Sequence, residues 1–166
     1  MTDFGKSAGD MLKSVYDPDG DGVVDVSRSM GYGTLRPALV SYVADRKLNG
    51  ARNVAISGNY AYVTGHDSDR LVVVNISDPA NLSIEGSITD PVLSGASGVA
   101  ISGNYAYVGA EISDRLVVVN ISDPANPSIE GSITDPVLDG ANGVAISGNY
   151  AYISARAGKT LVVLSL

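Results

Sequence analysis

The apolar positions of the chain follow a pattern that returns every 45 residues. Val54-Ala55-Ile56-Ser57-Gly58-Asn59-Tyr60-Ala61-Tyr62-Val63 recurs over 99–108 and, with Ile153 replacing the last valine, over 144–153. A fixed period of this size marks a repeat architecture, in which each unit covers its apolar face only against its neighbours. One period predicts four strands. Val54–Ser57 is short and made of small residues, which suits an inner position. Gly58-Asn59 reads as a two-residue hairpin turn, because both residue types accept positive φ. Tyr60–Gly65 alternates aromatic and small residues. Arg70–Ile76 carries Leu71-Val72-Val73-Val74, apolar toward both sides and so expected to be buried on both. Ser77-Asp78-Pro79-Ala80-Asn81 ends that strand: proline cannot continue the ladder, and Asp and Asn satisfy local amides. Ser83–Thr89 alternates and is more polar, as an outer strand should be.

Four antiparallel strands per period, repeated, predict an all-β protein with the blades of a β-propeller, over 53–97, 98–142 and 143–166. The period also extends backwards. Pro37–Asp45 falls on Leu82–Asp90, so that Leu39 matches Ile84, Val43 matches Ile88 and Asp45 matches Asp90; Leu48 and Gly50 match Leu93 and Gly95. Residues 37–45 are therefore expected to be an orphan outer strand, preceded by an N-terminal arm over 1–36. VAISGNYAYV followed by LVVVNISDPANPSIEGS resembles the LVIVD repeat family of bacterial and archaeal β-propellers. The likeness covers residues 37–166. It rests on Leu71–Ile76 with Asp78-Pro79, Leu116–Ile121 with Asp123-Pro124, and Leu161–Leu164. What it implies is a fold; the family brings no shared catalytic residues.

Counting strands predicts an assembly, the other reading being a fragment of a longer propeller. The last blade has strands one to three and no fourth, while the front of the chain has a fourth strand to spare. Three blades do not close a ring, since propellers have about four to eight. A bare Leu161–Leu166 edge is a template for further pairing. Ala38, Leu39, Val40 and Val43 of one copy are thus expected to pair with Leu161, Val162, Val163 and Leu164 of another. Such a head-to-tail contact closes as a ring or runs on as a filament; two chains would supply six blades.

The arm carries separate chemistry. Met11, Leu12, Val15 and Tyr16 fall on one side of a short helix expected over about Ser7–Tyr16; a frayed tail is the other reading. Residues 17–28, DPDGDGVVDVSR, space Asp17, Asp19, Asp21, the Val23 carbonyl and Asp25 as in an EF-hand calcium loop. This segment resembles dockerin and thrombospondin type 3 calcium loops, and aspartate-rich arms of phage tail and fibre proteins. Arg28 stands where the pattern needs a bidentate Glu. The segment is therefore either a weak Ca2+ loop or an unliganded Asp/Gly turn.

Composition narrows the function. A net charge of −7 disfavours nucleic acid and anionic membranes as partners. No window of about 18 apolar residues could span a membrane, and the first residues lack the apolar core of a signal peptide. One His and no Cys leave little scope for a His-based nucleophile or a multi-His metal site. The innermost strands repeat Val-Ala-Ile-Ser, which supplies no acid or base, so an enzyme is not expected.

Repeats 53–97 and 98–142 differ at 53, 64, 65, 66, 67, 82, 94 and 97. Four of these adjoin, in the loop after the second strand. There His66, Asp67, Asp69 and Arg70 become Glu111, Ile112, Asp114 and Arg115, then Arg156, Ala157, Lys159 and Thr160. In a propeller this loop and the connection between blades share one face. The face reads either as a binding surface for a glycan or a surface protein, or as exposed loops drifting after duplication. His66 reads as a solvated loop residue, or, beside Asp67 and Asp69, as half of a metal site. Asp69/Arg70 and Asp114/Arg115 read as loop ion pairs of little worth. The expectation is a non-catalytic, self-assembling structural subunit, extracellular or virion-associated; the alternative is a ligand-binding propeller.

Overall fold

The computed structural model describes residues 38–166. The helix, calcium loop and linker expected over 1–36 lie outside the described residues. Each period folds as an antiparallel ladder in chain order. β1 (Ala51–Ser57), β2 (Tyr60–Gly65), β3 (Arg70–Asn75) and β4 (Ser83–Thr89) form blade 1. β5 (Ala96–Ser102), β6 (Tyr105–Ala110), β7 (Arg115–Asn120) and β8 (Ser128–Thr134) form blade 2. β9 (Ala141–Ser147), β10 (Tyr150–Ala155) and β11 (Thr160–Ser165) form a three-stranded blade 3.

Two boundaries differ from expectation. The first strand starts at Ala51 rather than Val54, because a bulge between Ala51 and Asn53 carries the ladder on to Gly65. The third ends at Asn75 rather than Ile76. In the β1–β2 turn only Gly58 has positive φ (+55°), and Gly103 and Gly148 repeat it (+56° each). This is the glycine-first pattern of a II′ turn, so Asn59 does not need the left-handed region.

The connections between blades are also periodic. Asp45, Asp90 and Asp135 each cap a one-turn 3-10 helix (Arg46–Leu48, Pro91–Leu93, Pro136–Leu138), accepting from the backbone N–H two residues on. The degenerate repeat is thus real from Asp45 onward. Residues 38–45, expected to be a strand, form none. A strand is stabilised by its ladder, and no strand among the described residues precedes this one. Residue 41 nonetheless stands where the repeat places it. Ser41 Oγ donates to the Pro79 carbonyl at 2.6 Å. At the matching Gly86, an added Cβ would meet the carbonyls of Pro124 at 2.4 Å and Ala125 at 2.6 Å. Both residues lie on the Asp-Pro turn of the blade that follows them.

The core lies between blades. Tyr62, Leu71 and Val73 of blade 1 pack on Val99, Val108, Val119 and Ile121 of blade 2. Tyr107 and Leu116 of blade 2 pack on Ala151, Ile153 and Val162 of blade 3. The other side of β3, Val72 and Val74, clusters with Ala61, Val43 and Leu48. The apolar run of β3 is therefore buried on both sides, as its pattern requires, each large side chain contributing about 1.5–3 kcal/mol. Inner strands β1, β5 and β9 are successive neighbours. One face of each blade thus meets the opposite face of the next.

Candidate functional site

The loops after β2, β6 and β10 meet the connections between blades on one face. His66 N–H donates to the Gly50 carbonyl at 3.0 Å, Glu111 N–H to Gly95 and Arg156 N–H to Gly140, both at 2.9 Å. His66, Glu111 and Arg156 hold the same repeat position, and adjacent blades bring them together. The Glu111 side chain is only 9% exposed. Its Oε2 pairs with the Arg52 guanidinium and its Oε1 with that of Arg156. Asn142 Nδ2 donates to Oε2 at 3.3 Å, and His66 Nε2 stands 3.7 Å away. Identical charged residues here would set like charges side by side, whereas Glu111 puts a negative charge between the Arg52 and Arg156 guanidinium groups.

Other differing positions also touch across blades. Asn142 Nδ2 donates to Ser97 Oγ at 3.0 Å. Thr64, fully buried, accepts from Asn53 N–H at 3.1 Å and donates to the Ser97 carbonyl. Positions 64, 66 and 97 therefore differ where one blade fits the next. The signal available in the sequence was opposite charge at a single repeat position.

Three readings of this face change. His66 is only partly solvated: its side chain is 15% exposed, with Nδ1 2.8 Å from Asp67 Oδ1. Asp69 and Asp114 form no ion pair with the adjacent Arg70 and Arg115. Their backbones are left-handed, at φ +50° and +53°. That geometry turns each carboxylate to the next blade, where Oδ1 accepts from Gly95 N–H and Gly140 N–H at 2.8 Å. Arg115 instead donates to Ser132 Oγ at 3.3 Å. Lys159 takes the same left-handed position in blade 3, at φ +54°. Among the described residues no three His, Asp or Glu side chains gather as a metal site; Asp17, Asp19, Asp21, Val23 and Asp25 lie outside them.

The opposite face is built from the Asp-Pro turns. Asp78 accepts from Asn81 Nδ2 at 2.7 Å and from Ala80 N–H at 2.9 Å. These bonds hold its carboxyl below the usual carboxylate range, and Asn126 and Ala125 do the same for Asp123.

The ends of the blade stack expose surfaces that are buried inside it. Leu161 is 71% exposed, where its counterparts Leu116 and Leu71 are at 2% and 0%. Val163 and Tyr150 of blade 3 are exposed with it. At the other end Val54 is 56% exposed, against 6% for Val99, and Ile56 is exposed beside it. The outer edge of β11 pairs with no strand among the described residues. Next to that edge, between β8 and β11, lies a groove of about 620 Å³ lined by Tyr105, Tyr107, Ile133, Leu164 and Leu166.

The family model for the LVIVD repeat matches the chain three times, over residues 50–90, 95–135 and 140–164. No curated protein is significantly similar to the chain in sequence. Among solved structures, a provisionally assigned 6-phosphogluconolactonase of Bacteroides uniformis has a TM-score of 0.66 and 18% identity, covering 76% of this chain and 39% of its own. A functionally unknown protein of Desulfotomaculum acetoxidans gives 0.57 and 14%, covering 69% and 41%. A protein of Lactobacillus plantarum gives 0.56 and 20%, covering 69% and 40%. At such identities the likeness carries the fold alone. The chain spans about two fifths of the length of these structures.

Proposed function

The chain belongs to the LVIVD repeat family, and from that premise we propose that it is a non-catalytic structural subunit whose copies associate head to tail. Blade 3 of one copy docks on blade 1 of the next, and a strand from the second copy covers the edge of β11, giving a propeller ring or a filament. The observation that carries this reading is the exposure of Leu161 where Leu116 and Leu71 are covered. Val54 and Ile56 offer the complementary surface, since their counterparts in blade 2 belong to or pack against the core cluster between blades 1 and 2. The two free faces are thus of the kinds that already pack on each other twice within the chain. Such a contact is heterologous, so an open assembly retains one free face at each end until a ring closes.

That property gives the test. Val54→Glu blocks one face and Leu161→Glu the other, both at exposed positions. Each variant alone is expected to be monomeric, and an equimolar mixture to form heterodimers and nothing larger. A mixture that stays monomeric while the unmodified chain assembles overturns the head-to-tail contact.

A second reading, a glycan- or protein-binding face, draws on Ile112, an exposed apolar side chain on the variable loops. Its test is Asp67→Ala, Ile112→Ala and Arg156→Ala together against a glycan array. Unchanged binding, or no binding by either chain, rejects it.

A further inference from the structure

We propose that residues 38–44 of a second copy form the fourth strand of blade 3, with Leu39 seated in the groove between β8 and β11. This rests on the head-to-tail association proposed above and names the segment and the register that serve it. The internal repeats supply the template. Ile129 of β8 packs against the cluster that holds Tyr62, Val119 and Ile121, where blade 2 closes over blade 1. One period after those three residues come Tyr107, Leu164 and Leu166, and all three line the groove. The residue that matches Ile129 and Ile84 at the front of the repeat is Leu39, which is 83% exposed. Ile133, the counterpart of Ile88 in the cluster between blades 1 and 2, is exposed beside the same groove, and no strand among the described residues pairs with the neighbouring edge of β11.

The register follows from the complete blades. β7 and β8 pair Val119 with Ile129, Val118 with Gly131, Val117 with Ser132 and Leu116 with Ile133, with a bulge between the first two pairs. β3 and β4 repeat that arrangement. Carried forward one period, Leu164 pairs with Leu39, Val163 with Ser41, Val162 with Tyr42 and Leu161 with Val43. Val40 falls in the bulge, the place of Glu85 and Glu130. The bulge pins this register, because a one-residue slip would turn Leu39 and Val43 to the wrong side of the sheet. The donor is also presented ready for use. Ser41 already lies on the Pro79 turn as Gly86 lies on the Pro124 turn, so docking blade 1 of the second copy brings the strand with it. Ladder bonds then supply affinity, and alternate side chains supply specificity.

The natural sequence has no Cys, so introduced thiols report the register directly. Tyr42→Cys/Val162→Cys and Val43→Cys/Leu161→Cys sample two successive pairs, one of which has the closer spacing that a disulfide accepts. Tyr42→Cys/Leu164→Cys is slipped by two residues. Under mild oxidation an in-register variant is expected to give covalent dimers and higher ladders, roughly tenfold above the slipped control. Light scattering of the same variants kept reduced measures association separately. Assembled chains with no in-register preference overturn the strand donation and leave the head-to-tail contact standing. Reduced chains that remain monomeric, the unmodified chain included, overturn both.

Discussion

Leu116 and Leu161 occupy one repeat position in two surroundings, so the same truncation should act on two different equilibria. Leu116 is 2% exposed between blades 2 and 3, and Leu161 is 71% exposed at the end of the stack. Leu116→Ala removes buried methyl groups and leaves a cavity, which costs folding about 2–5 kcal/mol. Leu161→Ala removes little that the single chain has buried, so its cost to folding should stay within about 0.5 kcal/mol. Association would cover about seven tenths of Leu161. At about 1.5–3 kcal/mol for full burial of such a side chain, that is about 1–2 kcal/mol, or roughly 5- to 30-fold in the dissociation constant. Folding is read by urea denaturation in the Val54→Glu background, where the partner face is blocked and both variants are compared as monomers. Association is read by sedimentation in the unblocked chain. Equal destabilisation of the blocked monomer by Leu161→Ala and Leu116→Ala, or association unchanged by Leu161→Ala, would refute this difference between the two positions.

Three further outcomes follow from the site. Glu111→Ala leaves the Arg52 and Arg156 guanidinium groups facing each other. Those side chains are 40% and 75% exposed, so solvent limits each pair to roughly 0.2–1 kcal/mol and the two together to about 0.4–2 kcal/mol in urea denaturation. No measurable loss would show that the cluster does not join the blades. In an assembled junction Arg156 takes the place of Glu111 and meets Arg52 and His66 of the next copy. Raising salt from about 20 mM to about 500 mM should therefore tighten association by screening like charges, and weakening in sedimentation would contradict this placement. Asp78 and Asp123 have carboxyls held below their ordinary range by Asn81 and Asn126. The stability they contribute is present above the unfolded carboxylate range near pH 4 and is lost as pH falls through their lowered values. Asp78→Asn/Asp123→Asn should thus lose less stability between about pH 5 and pH 2 than the unmodified chain; an equal loss assigns the acid sensitivity elsewhere.

The strands were legible where period-2 alternation and the longer repeat agreed, as in Tyr60–Gly65 and Ser83–Thr89. The start of β1 was not, because Ala51-Arg52-Asn53 has no apolar alternation and enters the ladder through a bulge. Residues 38–45 show the limit of pattern. Leu39 and Val43 keep the spacing of Ile84 and Ile88, but hydrogen bonding to a neighbour makes a strand, and spacing cannot supply the neighbour. The loop face misled for a related reason. Arg70 beside Asp69 suggested a local ion pair, whereas the left-handed backbone of Asp69 sends its carboxylate to Gly95. The charge succession at His66, Glu111 and Arg156 was visible, yet its meaning depends on how far apart adjacent blades stand, which no local pattern encodes.

If the two exposed blade faces are halves of one contact, the chain associates with itself. Light scattering of the 166-residue chain over a range of concentrations tests it most directly. The expected mass is a fixed multiple of the chain if a ring closes, or one that rises with concentration if a filament grows. A single-chain mass at every concentration would contradict it.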